Sequence, residues 1–139
     1  MATVGLPVLA WRVLVLFGLL VLVAVIVALP FGVYELELQH ALGEGAMDEL
    51  PSLIGGVIAV GVCAWVACRW PEHAVLRTIL AYVLLQILTG VLVLLLDFEG
   101  VSPVPAVLDA IVSLLFGLAG TALGLAWQRR RVRAAGPRR

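Results

Sequence analysis

Four long apolar runs, separated by short polar breaks, account for most of the 139 residues. They cover about 13–33, 50–68, 78–96 and 104–127. Each is near the roughly 20 residues that an α-helix needs to cross about 30 Å of hydrocarbon. Lipid offers the backbone no hydrogen bonds, so runs of this length are expected to be helical. The alternation of a membrane β-strand is absent from them. The pattern predicts an all-α integral membrane protein, an antiparallel up-down bundle of four transmembrane helices. It reads as one membrane domain with a basic tail over 128–139.

Punctuation fits the runs. Trp11, Tyr34, Trp70 and Trp127 stand at their ends, where aromatic rings prefer the interface. Pro51 suits the first turn of the second helix, and Pro103 and Pro105 suit the start of the fourth. Pro30 lies inside the first run and predicts a kink. That run is too long for the apolar part of a cleaved signal, and no clear cleavage site follows it. The breaks near 69–77 and 97–103 are short, which favours antiparallel neighbours. Beyond Trp127 a short helical extension that frays is expected.

Composition narrows the class further. Hydrophobic residues make up 63% of the chain and charged ones 13%. A soluble domain holds about 45–50% and about 25%. A chain this short has no core large enough to hide that excess from water. A soluble enzyme, a disordered chain and a disulfide-rich module are therefore excluded as readings.

Charge sets an expected orientation. Net charge is zero, but all nine basic residues are Arg. Arg12, Arg69 and Arg77 flank one side of the runs, and six more occupy the tail. Eight acids fall in segments that contain no Arg: Glu35 to Glu49, Asp97 to Glu99, and Asp109. The positive-inside rule then predicts an inner (plasma) membrane protein with both termini cytoplasmic.

Small and polar residues within the runs are the candidates for packing and chemistry. Ser52, Gly56, Ala59, Cys63 and Ala67 share one helical face, as do Asp109, Ser113, Gly117, Thr121 and Gly124. Gly120 and Gly124 form a G-x-x-x-G pair. Such faces let helix backbones approach closely, within a bundle or against a partner. On the third run Thr78, Tyr82, Gln86 and Thr89 recur at steps of four, four and three. A mid-span amide such as Gln86 needs partners and is expected to face the other helices. Asp109 is the one acid placed within a span. It reads either as a wetted residue near the outer interface or as a cation site.

Other motifs carry less. Glu37, His40 and Glu44 share a helical face, but the second half of a di-metal motif is missing. Cys63 and Cys68 point apart on a helix, which disfavours a disulfide. His40 and His73 fall on opposite sides of the expected membrane and cannot share a haem or metal. Arg129, Arg130, Arg131 and Arg133 suit lipid headgroups and an orientation signal rather than nucleic acid.

No catalytic set, metal site or cofactor motif is expected. The reading is a non-enzymatic accessory, assembly or interaction subunit acting on another membrane component. The alternative is a small oligomeric transporter or channel. Expected partners are the bilayer and either further copies of the chain or another membrane protein.

Overall fold

The computed structural model describes residues 5–34, 37, 40–41, 43–96 and 103–137. Its long elements are helices α1 (Leu6–Val33), α2 (Glu44–Arg69), α3 (Ala74–Leu95) and α4 (Pro103–Ala134). Each contains a stretch long and apolar enough to span a membrane, so the chain is a multi-pass membrane protein.

All four helices extend past their apolar runs, and in three of them the local reason is plain. Helix α1 starts at Leu6 with a proline in its first turn, where the missing N–H is not needed. The Gly5 carbonyl accepts the Val8 and Leu9 N–H groups there. Helix α2 starts at Glu44, directly after Gly43 at φ +84°. That conformation is open mainly to glycine and breaks the chain direction. Pro51 therefore lies inside α2 rather than in its first turn, a correction to the sequence reading. Helix α4 carries the basic segment in helical form as far as Ala134, and Gly136 at φ +68° ends it.

Packing is uneven. Helix α1 packs on α2 and α3, and α4 packs on the same two, with α2 against α4 the most extensive face. A Cβ at Gly120 would overlap the Val60 carbonyl oxygen, and one at Gly124 would overlap that of Ala64. Both glycines thus seat one helix directly on the backbone of the other. Gly117 receives the Tyr82 ring in the same manner, and Gly56 faces the Phe116 ring. Between α3 and α4, Thr78 Oγ1 meets Thr121 Oγ1 at 2.7 Å. Each hydroxyl also reaches a carbonyl of its own helix, at Ala74 and Gly117. Two protons serve these three contacts, so one hydroxyl accepts from the other while keeping its own carbonyl bond.

Buried side chains gather towards one end. Leu16, Leu20, Ala59, Cys63, Val66, Ala81 and Tyr82 form the core cluster. Val27 is the one buried hydrophobic residue in the opposite half among the described residues. Outward faces are mostly apolar, for example at Val57, Ile87, Leu94 and Leu115, as lipid contact requires.

The glycine seam gives a direct test. Gly120→Ala and Gly124→Ala should each lower thermal stability in detergent, at a cost of about 1–3 kcal/mol. Gly90→Ala, where an added Cβ meets open space, should be silent or slightly stabilising. Equal tolerance of all three would show that the seam does not hold α2 to α4.

Candidate functional site

Three places collect polar groups. The first is a cavity of about 500 Å³ lined by all four helices. Leu20 and Val27 come from α1, Ala59 from α2, Tyr82 from α3, and Asp109 and Phe116 from α4. Asp109 is exposed, and its Oδ1 accepts a long hydrogen bond from Ser52 Oγ at 3.5 Å. Ser113 is half-buried on the same wall. Asp109 is the only charged side chain lining this space among the described residues.

The second place is the outer face of α3. Gln86, the expected inward-facing amide, is exposed, and no hydrogen bond reaches it from the described residues. The cause is helix geometry. Steps of four residues advance about 40° beyond a full turn. Two of them carry the line from buried Thr78 past Tyr82 and off the core at Gln86. Gln86 instead borders a second, largely apolar groove of about 520 Å³ between α3 and α4, shared with Tyr82, Val83, Ile87 and Ile111. Thr89 is also exposed and donates to the Leu85 carbonyl at 2.9 Å.

The third place is the end of the bundle that bears Arg12 and the α2–α3 turn. Arg77 is 1% exposed. Its guanidinium donates to the Val66 carbonyl at 3.4 Å and the Glu72 carbonyl at 3.5 Å, and Nε has no partner among the described residues. It ties the last turn of α2, through Val66, to the turn that follows, through Glu72. Arg12 pairs with Glu72 at 3.7 Å and lies 5.4 Å from the Trp70 ring centre. His73 closes the turn at φ +52°, a conformation uncommon outside glycine.

The remaining sequence candidates disperse. Ala59, Cys63, Gly117, Gly120, Thr121 and Gly124 are buried in helix contacts. Cys63 and Cys68 are both free. Arg129, Arg130, Arg131 and Arg133 are exposed on the last turns of α4, with Arg131 over the Trp127 ring at 3.8 Å. Glu37 and His40 are exposed, and the Glu44 side chain lies outside the described residues. Among the described residues, no three His, Cys, Asp or Glu side chains gather to hold a metal.

Sequence reasoning missed Arg77 and Phe116. Its charge alone marks Arg77 as a flank of the third run. Its spacing from Ala74, Thr78 and Ala81 places it on the small-residue face that packs inward. Phe116 carried no signal among so many apolar neighbours.

Comparison with known protein families, curated proteins and solved structures finds no match for this chain.

Arg77 yields a stability prediction. A buried guanidinium without a carboxylate partner keeps much of its desolvation cost. The Val66 carbonyl already accepts the Trp70 N–H at 2.9 Å. Arg77→Met, similar in length and apolar, should be neutral or stabilising by about 1 kcal/mol. Arg77→Ala should destabilise by roughly 2–4 kcal/mol through the void it leaves. Thermal melts of both variants in one detergent decide it. A large loss with Met would mean that the two carbonyl bonds outweigh the burial cost.

Proposed function

We propose that this chain is a non-enzymatic interaction subunit of a membrane assembly, docking through the α3 face that carries Gln86. The observation behind it is the amide itself. It lies near the middle of an apolar helix, exposed, without a hydrogen bond from the described residues. Hydrocarbon cannot satisfy an amide, whereas a neighbouring helix can, at about 0.5–2 kcal/mol. Gly90, one turn along the same face, has open space around it and lets another helix come close. Gly56, Gly117, Gly120 and Gly124 of α2 and α4 already face atoms of this chain's own helices, which leaves no room for a partner at those positions.

In the membrane we infer an up-down arrangement with both termini cytoplasmic, in an inner or plasma membrane. Contacts between α2 and α4 rise together in number, 56 with 116, 60 with 120 and 64 with 124, as parallel helices do. Those between α3 and α4 run oppositely, 78 with 121 and 82 with 117. The Arg bias supplies the direction. A second reading, an oligomeric transporter or channel, draws support from the cavity that holds Asp109.

Two experiments test these readings. Reporter fusions after Glu44 and Glu99 should report the outside, and fusions after Pro71 and Arg139 the cytoplasm. A cytoplasmic signal at Glu44 would reverse the orientation. A photoreactive residue at Ile87 should cross-link in native membranes to one defined membrane protein. Gln86→Leu should cut that yield several-fold while leaving folded yield unchanged. A ladder containing only copies of this chain would favour the oligomeric alternative. Labelling of lipid alone would remove the interaction reading.

A further inference from the structure

The cavity between the four helices has a chemistry of its own, independent of the α3 face. Its volume of about 500 Å³ falls within the range of small-molecule sites, about 300–1,000 Å³. Its walls are aliphatic apart from two aromatic rings, Tyr82 and Phe116, and three small polar groups, Ser52, Ser113 and Asp109. Most such spaces in a bundle are closed by larger side chains. Here Ala24, Ala28, Gly55 and Gly56 keep the walls thin.

Charge decides what the space would accept. Asp109 is an anion with about four acceptor positions. The described residues supply one hydrogen bond to it, at 3.5 Å from Ser52. No Arg lines the cavity, because the arginines lie at the other end or on the tail. Beside these apolar walls the Asp109 carboxylate, itself exposed, attracts a cation more strongly than it would in bulk water. An inorganic divalent ion asks for six or more oxygens, and among the described residues no cluster of metal-ligating side chains forms. An inorganic ion would also leave the apolar walls unused. An organic cation uses both features.

We propose that this cavity binds an amphiphilic organic monocation. Its charged head sits at Asp109 with Ser52, and its apolar body lies against Val27, Ala59, Tyr82 and Phe116.

Tetraphenylphosphonium and tetraphenylborate test this, since they share a shape and differ in the sign of charge. The full chain, purified in maltoside micelles, should bind labelled tetraphenylphosphonium saturably at one site per chain. Tetraphenylborate should show only non-saturable partition into the micelle. Asp109→Asn, which keeps shape and hydrogen-bonding capacity, should weaken the cation roughly tenfold or more. Its unchanged melting would show that the fold is intact. Ser113→Phe, which fills the space, should also weaken it. Gln86→Leu should leave binding unchanged, so loss of the membrane partner and loss of the ligand are read separately. Equal binding of both ions, full affinity in Asp109→Asn, or no saturable binding would each overturn the proposal.

Discussion

The contact on which the rest of the bundle depends is backbone against backbone, where Gly120 and Gly124 of α4 rest on Val60 and Ala64 of α2. In lipid no hydrophobic force drives two apolar helices together, because the tails are as apolar as leucine. Close van der Waals packing and a few hydrogen bonds must do it. Glycine is the residue that permits this approach, and it does so twice, one turn apart. Once α2 and α4 are seated, Thr121 is held where it meets Thr78, and Gly117 opens the space that the Tyr82 ring fills. Helix α3 is thus fixed to α4 by one hydroxyl pair and one ring.

The same contact makes the two halves of the bundle unequal. Towards Arg12 and Arg77 the helices touch through small residues, and nearly all buried side chains collect there. Towards Ser52 and Asp109 the glycine seat has ended. Phe116 stands against Gly56, and beyond it, among the described residues, one long bond from Ser52 to Asp109 joins α2 and α4. The cavity is what remains when four helices are tight at one end and held apart by a ring at the other. Stability and a ligand-sized space are therefore segregated along the bundle axis rather than in competition at one level.

Much of this was legible in the sequence. The four spans follow from length and apolar content, because the bilayer imposes both. The small-residue stripes follow from spacing, and α4's stripe names the glycines that touch α2. What escaped reading depends on rotation about a helix. The cost of an unpaired amide points Gln86 to the interior, an argument that treats the chain as its own only partner. Arg77 was assigned to a flank because it is charged, although its position between Ala74 and Ala81 turns it inward. The start of α2 escaped reading, because polar residues carry that helix from Glu44 to its apolar run, whereas the helical extension past Trp127 was legible. Hydropathy reports what sits in lipid, not where the hydrogen-bond ladder stops.

Tyr82 ties the two functional readings to one side chain. Its ring lines the inner cavity and also the outer groove beside Gln86, so it is the wall between them. It is 4% exposed and leans on Gly117, where no side chain opposes it. A helix seated in the outer groove would press on the same ring that closes the cavity. The ring would have little room to yield, since Gly117 is backbone and α4 is fixed by its own glycines to α2. That geometry follows from the glycine spacing of α4: Gly117 admits the ring, and Gly120 and Gly124, three and seven residues on, hold the surface it leans against.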